Sequence, residues 1–212
     1  VCSSDLGSAS IESRVADIHA AFSDDSVDAI LATIGGFNCN ELLPYLDFEL
    51  IARNPKIFCG YSDTTALLSA IYSKTGMKTY MGPSYSSFKM EALQEYQTES
   101  WLKAISQTSY ELTPSEKWGD NAWYLPDAPL TFHKTEWKVY NHGKAQATVV
   151  GGNLSTFSLL RGTPYAPTDE NYVLFVEEAE EDDYVEFDRN LAALLQAYPN
   201  PQALLIGRFP KE

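Results

Sequence analysis

The 212-residue chain, 44% hydrophobic and 21% charged, has the composition of an ordinary globular protein and the length for one large domain or two small ones. Its 29 acidic residues against 15 basic ones give a net charge of −14, which argues against a nucleic-acid partner or anionic membrane, since both call for clustered Lys and Arg. No apolar run reaches the roughly 20 residues that span a bilayer, and the opening Val-Cys-Ser-Ser-Asp-Leu-Gly lacks the basic start and apolar core of a signal peptide.

Residues 1–9 carry no structural period and do not begin with Met. From Ser10 onward Ile11, Val15, Ile18 and Phe22 fall on one helical face, with Ser10 as its cap. After a polar break, Ala29 to Ile34 is a continuous apolar run, the pattern of a strand buried on both faces. Gly35-Gly36 ends it, at a point where backbone approaches a ligand closely. Residues 40–46 and 47–53 read as two short helical pieces, split near Pro44 and stopped by Asn54-Pro55. Ile57, Phe58 and Cys59 form a short strand that meets Gly60, and a helix follows from about Asp63 to Thr75, closed by Gly76. Thr79 to Met81 reads as strand, and residues 91–105 as helix with Leu93, Tyr96, Trp101 and Ile105 as its apolar set.

Residues 109–147 change style, with much Trp, Tyr, Pro and Thr and little period. Trp137 to Tyr140 and Gln146 to Val150 read as a hairpin around Asn141-His142-Gly143. The helix–strand alternation then returns: Leu154 to Leu160 helix, Tyr172 to Val176 strand, Phe187 to Tyr198 helix, Ala203 to Ile206 strand. This implies an α/β fold with right-handed crossovers and a mostly parallel sheet covered on both faces. The division expected is 1–9 unassigned, 10–108 an N-terminal α/β domain, 109–147 an aromatic linker or insertion, and 148–212 the start of a second domain.

Ser62 is the candidate nucleophile. A serine on a tight strand-to-helix turn lifts its hydroxyl clear of the backbone and faces the first free helix amides. Gly60-Tyr-Ser-Asp-Thr has Thr64 where the usual G-x-S-x-G elbow has its last glycine, so the same residues also suit a plain helix cap. Loops at the carboxyl ends of neighbouring parallel strands share one crevice, so the amides of Gly36 and Asp63 are candidates for an oxyanion hole. Glu177 follows the apolar Val173-Leu-Phe-Val, where a catalytic acid would sit. The acids after it, Glu178, Glu180, Glu181, Asp182, Asp183, Glu186 and Asp188, read as a solvated loop or helix start, and their spacing matches no calcium loop. Cys59 is a rival nucleophile that reads as a packed strand residue. Trp118, Trp123 and Trp137 suit either ligand stacking or a small satellite core. Of the three histidines, His19 lies in the first helix and His133 and His142 lie in the aromatic region, so no triad closes from sequence. Cys2, Cys39 and Cys59 form no disulfide framework and leave an odd thiol, which fits a reducing, cytoplasmic setting.

Four runs, Thr33-Ile-Gly-Gly-Phe-Asn-Cys-Asn-Glu-Leu-Leu-Pro-Tyr-Leu-Asp47, Asn54-Pro-Lys-Ile-Phe-Cys-Gly-Tyr-Ser-Asp63, Gly151-Gly-Asn-Leu154 and Leu174-Phe-Val-Glu177, together resemble the serine LD-carboxypeptidase family, especially its microcin C self-immunity branch. The resemblance implies a flavodoxin-like, mostly parallel sheet domain plus part of a second, smaller α/β domain, with the site between them. It also implies a cytoplasmic, commonly homodimeric enzyme that uses no metal or other cofactor and carries a Ser-His-Glu triad. By position Ser62 would be the nucleophile, Glu177 the triad acid, the Gly36 and Asp63 amides the oxyanion hole, and Gly35 and Asn153 substrate contacts. The family histidine has no counterpart in these residues, and the opening six residues read as foreign sequence, so the expectation is an inactive internal fragment. Substrates implied are an aminoacyl- or peptide-nucleotide amide or, alternatively, a murein tetrapeptide; a non-catalytic peptide- or nucleotide-binding module is a further alternative.

Overall fold

The computed structural model describes residues 9–120, 125, 129–179 and 184–209. It opens with helix α1 (Ile11–Ser23), capped by the Ser10 hydroxyl, which accepts from the Ser13 amide at 3.2 Å. Val15, Ile18 and Phe22 of α1 are buried, and so is Arg14, at 1% exposure. Strand β1 (Ala29–Leu31) pairs in parallel with β2 (Ile57–Gly60), which pairs in parallel with β3 (Tyr80–Met81). Between β1 and β2 the chain makes a tight 3-10 segment, Cys39–Tyr45, and the short helix α2 (Phe48–Arg53), capped by Asp47. Pro44 lies within the first piece rather than at its end; the break falls at Leu46, whose extended backbone (ψ 132°) leads to the Asp47 cap of α2.

Helix α3 (Thr65–Thr75) ends at Gly76 in the left-handed conformation, φ 71°. Its residues Thr65 to Ile71 are all buried, an uninterrupted run that no one-sided amphipathic helix shows. The reason is its position. One side packs on β2, α2 and the Cys39–Tyr45 segment, the other on the strand and helix of a second sheet. That sheet consists of β6 (Thr148–Asn153), β7 (Tyr172–Glu177) and β8 (Ala203–Ile206), all parallel in the order β6-β7-β8. Helices α5 (Leu154–Ser158) and α6 (Tyr184–Ala197) connect its strands. Tyr72 Oη donates to Asp169 at 2.7 Å and Ser73 Oγ to the Ala166 carbonyl at 3.0 Å, extending the seam along α3. The mixed α/β architecture with parallel sheets is therefore as the alternation implied, with one helix serving both sheets.

Helix α4 (Gln94–Ser106) starts later than expected, because Leu93 takes a left-handed conformation, φ 58°, ahead of it. The hairpin is the larger departure. Residues 137–140 form no strand, and 148–150 belong to β6. The antiparallel pair is instead β4 (Lys117–Trp118) with β5 (His133–Lys134). Asn141-His142-Gly143 is a turn sequence without β-paired flanks, because Thr148 onward finds a better partner in β7, with six residues in register. Covering on both faces is also incomplete: Val149 is 64% exposed, and Leu204, Leu205 and Ile206 of the edge strand β8 are all exposed. The unassigned residues 1–8 lie outside the described residues.

Candidate active site

Ser62 sits two residues beyond β2, at the start of a 3-10 turn, Ser62–Thr64, that feeds α3. Its φ is 55°, a left-handed conformation that costs a non-glycine residue on the order of 1 kcal/mol. Two neighbours make room for it. A Cβ on Gly60 would lie 2.7 Å from Thr64 Cγ2 and 2.9 Å from Ala32 Cβ. Thr64 therefore does not break the elbow: its methyl fills the space that Gly60 leaves open. A Cβ on Gly35 would lie 3.0 Å from Ser62 Cβ and 3.1 Å from its Oγ, so the loop after β1 packs directly on the serine side chain. The structure thus brings Gly35, Gly60 and Ser62 together.

Asp63 has two roles in this arrangement. Its amide opens the helix, and its carboxylate, 3% exposed, accepts the Cys39 amide at 2.9 Å. The second contact ties the segment following Gly35-Gly36 to the residue after the serine. Burial pushes the Asp63 carboxyl above its ordinary range, while the Cys39 and Asn38 amides and the Arg14 charge pull it back.

The second sheet meets the turn through Thr65. The Asn153 amide donates to Thr65 Oγ1 at 3.1 Å, and a Cβ on Gly152, whose φ is 136°, would lie 2.7 Å from that threonine side chain. Gly152 is therefore glycine both for its backbone and for this approach. Asn153 is in register with Glu177 across β6 and β7, which places Glu177 at the carboxyl end of the central strand, beside the seam. Glu177 is half-buried, and a Cβ on Gly207 would lie 2.5 Å from Glu177 Cβ, so the chain leaving β8 also presses on it.

Asn153 is 5% exposed, with Oδ1 capping α5 by accepting the Thr156 amide at 3.1 Å. Its Nδ2 donates to Glu178 Oε1 at 2.9 Å. Glu178 is not the solvated acid that the sequence suggested. It is 7% exposed and also accepts the Ser155 hydroxyl at 2.8 Å and the Ser155 amide at 3.2 Å. Strand alternation carries the clue: Leu174, Val176 and Glu178 share the inward face, and all three are buried. Arg14 was missed likewise, although it lies within the stripe Ile11, Val15, Ile18 and Phe22 on α1.

The histidines stay apart from this cluster. His19 Nε2 accepts the Asp47 amide at 2.9 Å and so serves the start of α2. His133 lies 3.4 Å from Asp120 and rests on Trp118, ring centroids 4.9 Å apart. His142 is exposed in the loop before β6. Trp118 is not open for stacking on a ligand from both sides, because the Arg208 guanidinium lies 4.3 Å from its ring centroid. Trp137 is 68% exposed, and Trp123 lies outside the described residues. A cavity of about 660 Å³ runs along β4 and β5, lined by Glu116, Lys117, Phe132, His133 and Trp137, away from Ser62. Cys59 is fully buried, with Sγ 3.5 Å from the Pro83 carbonyl, and burial pushes its thiol up to about 11. It is a packed thiol rather than a thiolate nucleophile. Cys39 is buried and disulfide-bonded. Among the described residues, no cluster of three His, Cys, Asp or Glu is placed to hold a metal, and no helix is long and apolar enough to cross a membrane.

A serine with left-handed backbone, packed against the loop after β1, is thus joined by α3 to a second parallel sheet whose central strand ends in Glu177. The chain belongs to the LD-carboxypeptidase family: residues 3–82 match its N-terminal domain and residues 146–212 its C-terminal domain. It is 47% identical to the putative carboxypeptidase YocD of Bacillus subtilis over 98% of this chain and 65% of that protein. The crystal structure of an MccF-like protein from Bacillus anthracis superposes with a TM-score of 0.92 at 45% identity, over 97% of this chain and 64% of the other. A structure of MccF in complex with glutamyl sulfamoyl guanosine superposes at 0.87 with 32% identity, over 95% of this chain and 63% of the other. The chain thus spans just under two thirds of the length of these relatives.

Proposed function

We propose that the protein hydrolyses an amide through an acyl-enzyme formed on Ser62. The observation that carries this reading is the left-handed backbone at Ser62 together with the close packing of Gly35 on its Oγ. A serine that only capped a helix would need neither. In this scheme Oγ attacks the substrate carbonyl carbon as its proton passes to a histidine lying outside these 212 residues. The Gly36 and Asp63 amides receive the developing oxyanion, and Glu177 orients the imidazole. The leaving amine takes the proton, and water then releases the acyl group as a carboxylate. Gly35 and Asn153 line the substrate side. The 212 residues alone are inactive on this account, and the intact protein is a cytoplasmic homodimer.

For substrate we favour an aminoacyl- or peptide-nucleotide amide over a murein tetrapeptide, on the likeness to MccF, whose structure holds glutamyl sulfamoyl guanosine. The test is turnover by a protein extended to the length of its relatives, with an aminoacyl-sulfamoyl adenylate and a murein tetrapeptide compared side by side. Faster cleavage of the adenylate is expected; cleavage of the tetrapeptide alone refutes the preference.

A further inference from the structure

Ser62 and Glu177 stand at the carboxyl ends of strands in two different sheets, so a reaction that uses both needs those sheets held in one alignment. One bonded route between them runs through Thr65, which is fully buried at the start of α3. The Thr65 amide donates to the Ser62 and Asp63 carbonyls and so closes the turn that carries the serine. Its Oγ1 accepts the Asn153 amide at 3.1 Å, from a residue 88 positions away. A helical threonine commonly spends its hydroxyl on nearby backbone of its own segment, and Ala is the better helix former, so α3 by itself does not call for this bond. On the other side, β6 is an edge strand, and its Asn153 amide ends on α3 rather than on another strand. A Cβ on Gly152 would lie 2.7 Å from both Cγ2 and Oγ1 of Thr65, so the strand backbone presses on both branches of the threonine and fixes the direction of its hydroxyl.

Asn153 faces Glu177 in register across β6 and β7, about one strand spacing of 4.8 Å away. Its side chain is anchored as well: Oδ1 accepts the Thr156 amide at 3.1 Å and Nδ2 donates to Glu178 at 2.9 Å. The Asn153 backbone is therefore held on the second sheet and cannot simply follow a shift of α3.

We propose that Thr65 is a positioning residue for the reaction: its hydroxyl, bonded to the Asn153 amide, sets the separation between Ser62 on the first sheet and Glu177 on the second. The inference rests on the reading of Ser62 as nucleophile and Glu177 as triad acid, and deepens it by naming what aligns them. Apolar packing of α3 on the second sheet is non-directional and tolerates sliding. The Thr65 bond converts it into a contact of fixed distance and direction at the residue that closes the serine turn. An imidazole placed between a serine and an acid must stay within hydrogen-bond reach of both, and a misplacement of about 1 Å can cost roughly a hundredfold in rate. Without the hydroxyl the Asn153 amide is a buried donor that has lost its acceptor, and the seam shifts to satisfy it.

The test compares Thr65→Ala with Thr65→Ser, which differ by a single oxygen. Hydrogen exchange at the Asn153 amide is followed by NMR in the 212-residue chain, and the rate of fluorophosphonate labelling of Ser62 is measured in the protein extended to the length of its relatives. Thr65→Ala is expected to speed Asn153 exchange about tenfold and to slow labelling about tenfold, whereas Thr65→Ser stays within about twofold of wild type in both. Ile18→Ala, a core truncation on α1 that makes none of these contacts, controls for lost stability and should leave labelling within about twofold of wild type. Unchanged Asn153 exchange in Thr65→Ala, labelling of Thr65→Ala at the wild-type rate, Thr65→Ser as slow as Thr65→Ala, or equal slowing by Ile18→Ala each overturns the proposal. Absent labelling of wild type refutes the nucleophile reading instead, and Asn153 exchange then still decides whether Thr65 ties the two sheets.

Discussion

Replacing Glu178 by Gln separates the two adjacent acids that close β7. Both Glu178 oxygens accept: Oε1 from Asn153 Nδ2 at 2.9 Å, Oε2 from the Ser155 hydroxyl at 2.8 Å and the Ser155 amide at 3.2 Å. A Gln amide group must therefore face a donor in either orientation. The better orientation points NH₂ at Ser155, where the hydroxyl can turn to accept, but the Ser155 amide is left unsatisfied. An orphaned buried donor costs about 1–3 kcal/mol, and the remaining bond to Asn153 loses its charge assistance, so the expected loss is about 2–3 kcal/mol. For a chain of this size that lowers Tm by roughly 5–10 °C. Glu177→Gln, at a half-buried position, should cost under about 1 kcal/mol while abolishing turnover in the extended protein. Urea unfolding followed by circular dichroism measures the first pair of numbers. Glu178→Gln within about 0.5 kcal/mol of wild type, or less destabilising than Glu177→Gln, would refute the assignment of Glu178 as the structural acid and Glu177 as the catalytic one.

Because Ser62 holds φ at 55°, Ser62→Gly should be more stable than Ser62→Ala by about 1 kcal/mol in the same unfolding assay; equal stability would show that the turn is unstrained. Burial raises the Asp63 carboxyl above the ordinary range of an aspartate. A raised acid in the native state binds its proton more tightly there than in the unfolded chain. Its stabilising contribution is therefore present below pH 3.8 and is lost as pH rises through the folded value. The stability of wild type relative to Asp63→Asn should accordingly fall as pH is raised from 3 to 7, and a difference that grows over that range contradicts the burial argument. With its thiol pushed up to about 11, Cys59 should be ionised in about one molecule per thousand at pH 8. Iodoacetamide should modify it only in denaturant, and prompt alkylation of folded protein would show the thiol to be accessible.

Much of the fold was legible because it rests on local rules. The Ser10 cap, the Gly76 stop and the strand Ala203–Ile206 each follow from residue type and spacing. The false hairpin failed because strand pairing is not local: a turn-like Asn-His-Gly says nothing about a partner more than twenty residues away in β7. The same limit hid the burial of α3 on two sides, since Thr65 looks like part of an exposed face until Gly152 and Asn153 arrive against it. The placement of Ser62, Gly35 and Glu177 at or just beyond strand ends was readable from the apolar runs that precede them. Arg14 and Glu178 were not, because a charge is ordinarily assigned to solvent, although each interrupts an apolar period in which its own place is inward.

The most direct measurement is mass spectrometry of the protein, extended to the length of its relatives, after reaction with a fluorophosphonate. The account predicts one covalent adduct, located on Ser62, absent in Ser62→Ala and strongly slowed in Glu177→Gln. No adduct on wild type, or equal labelling of Ser62→Ala, would contradict it.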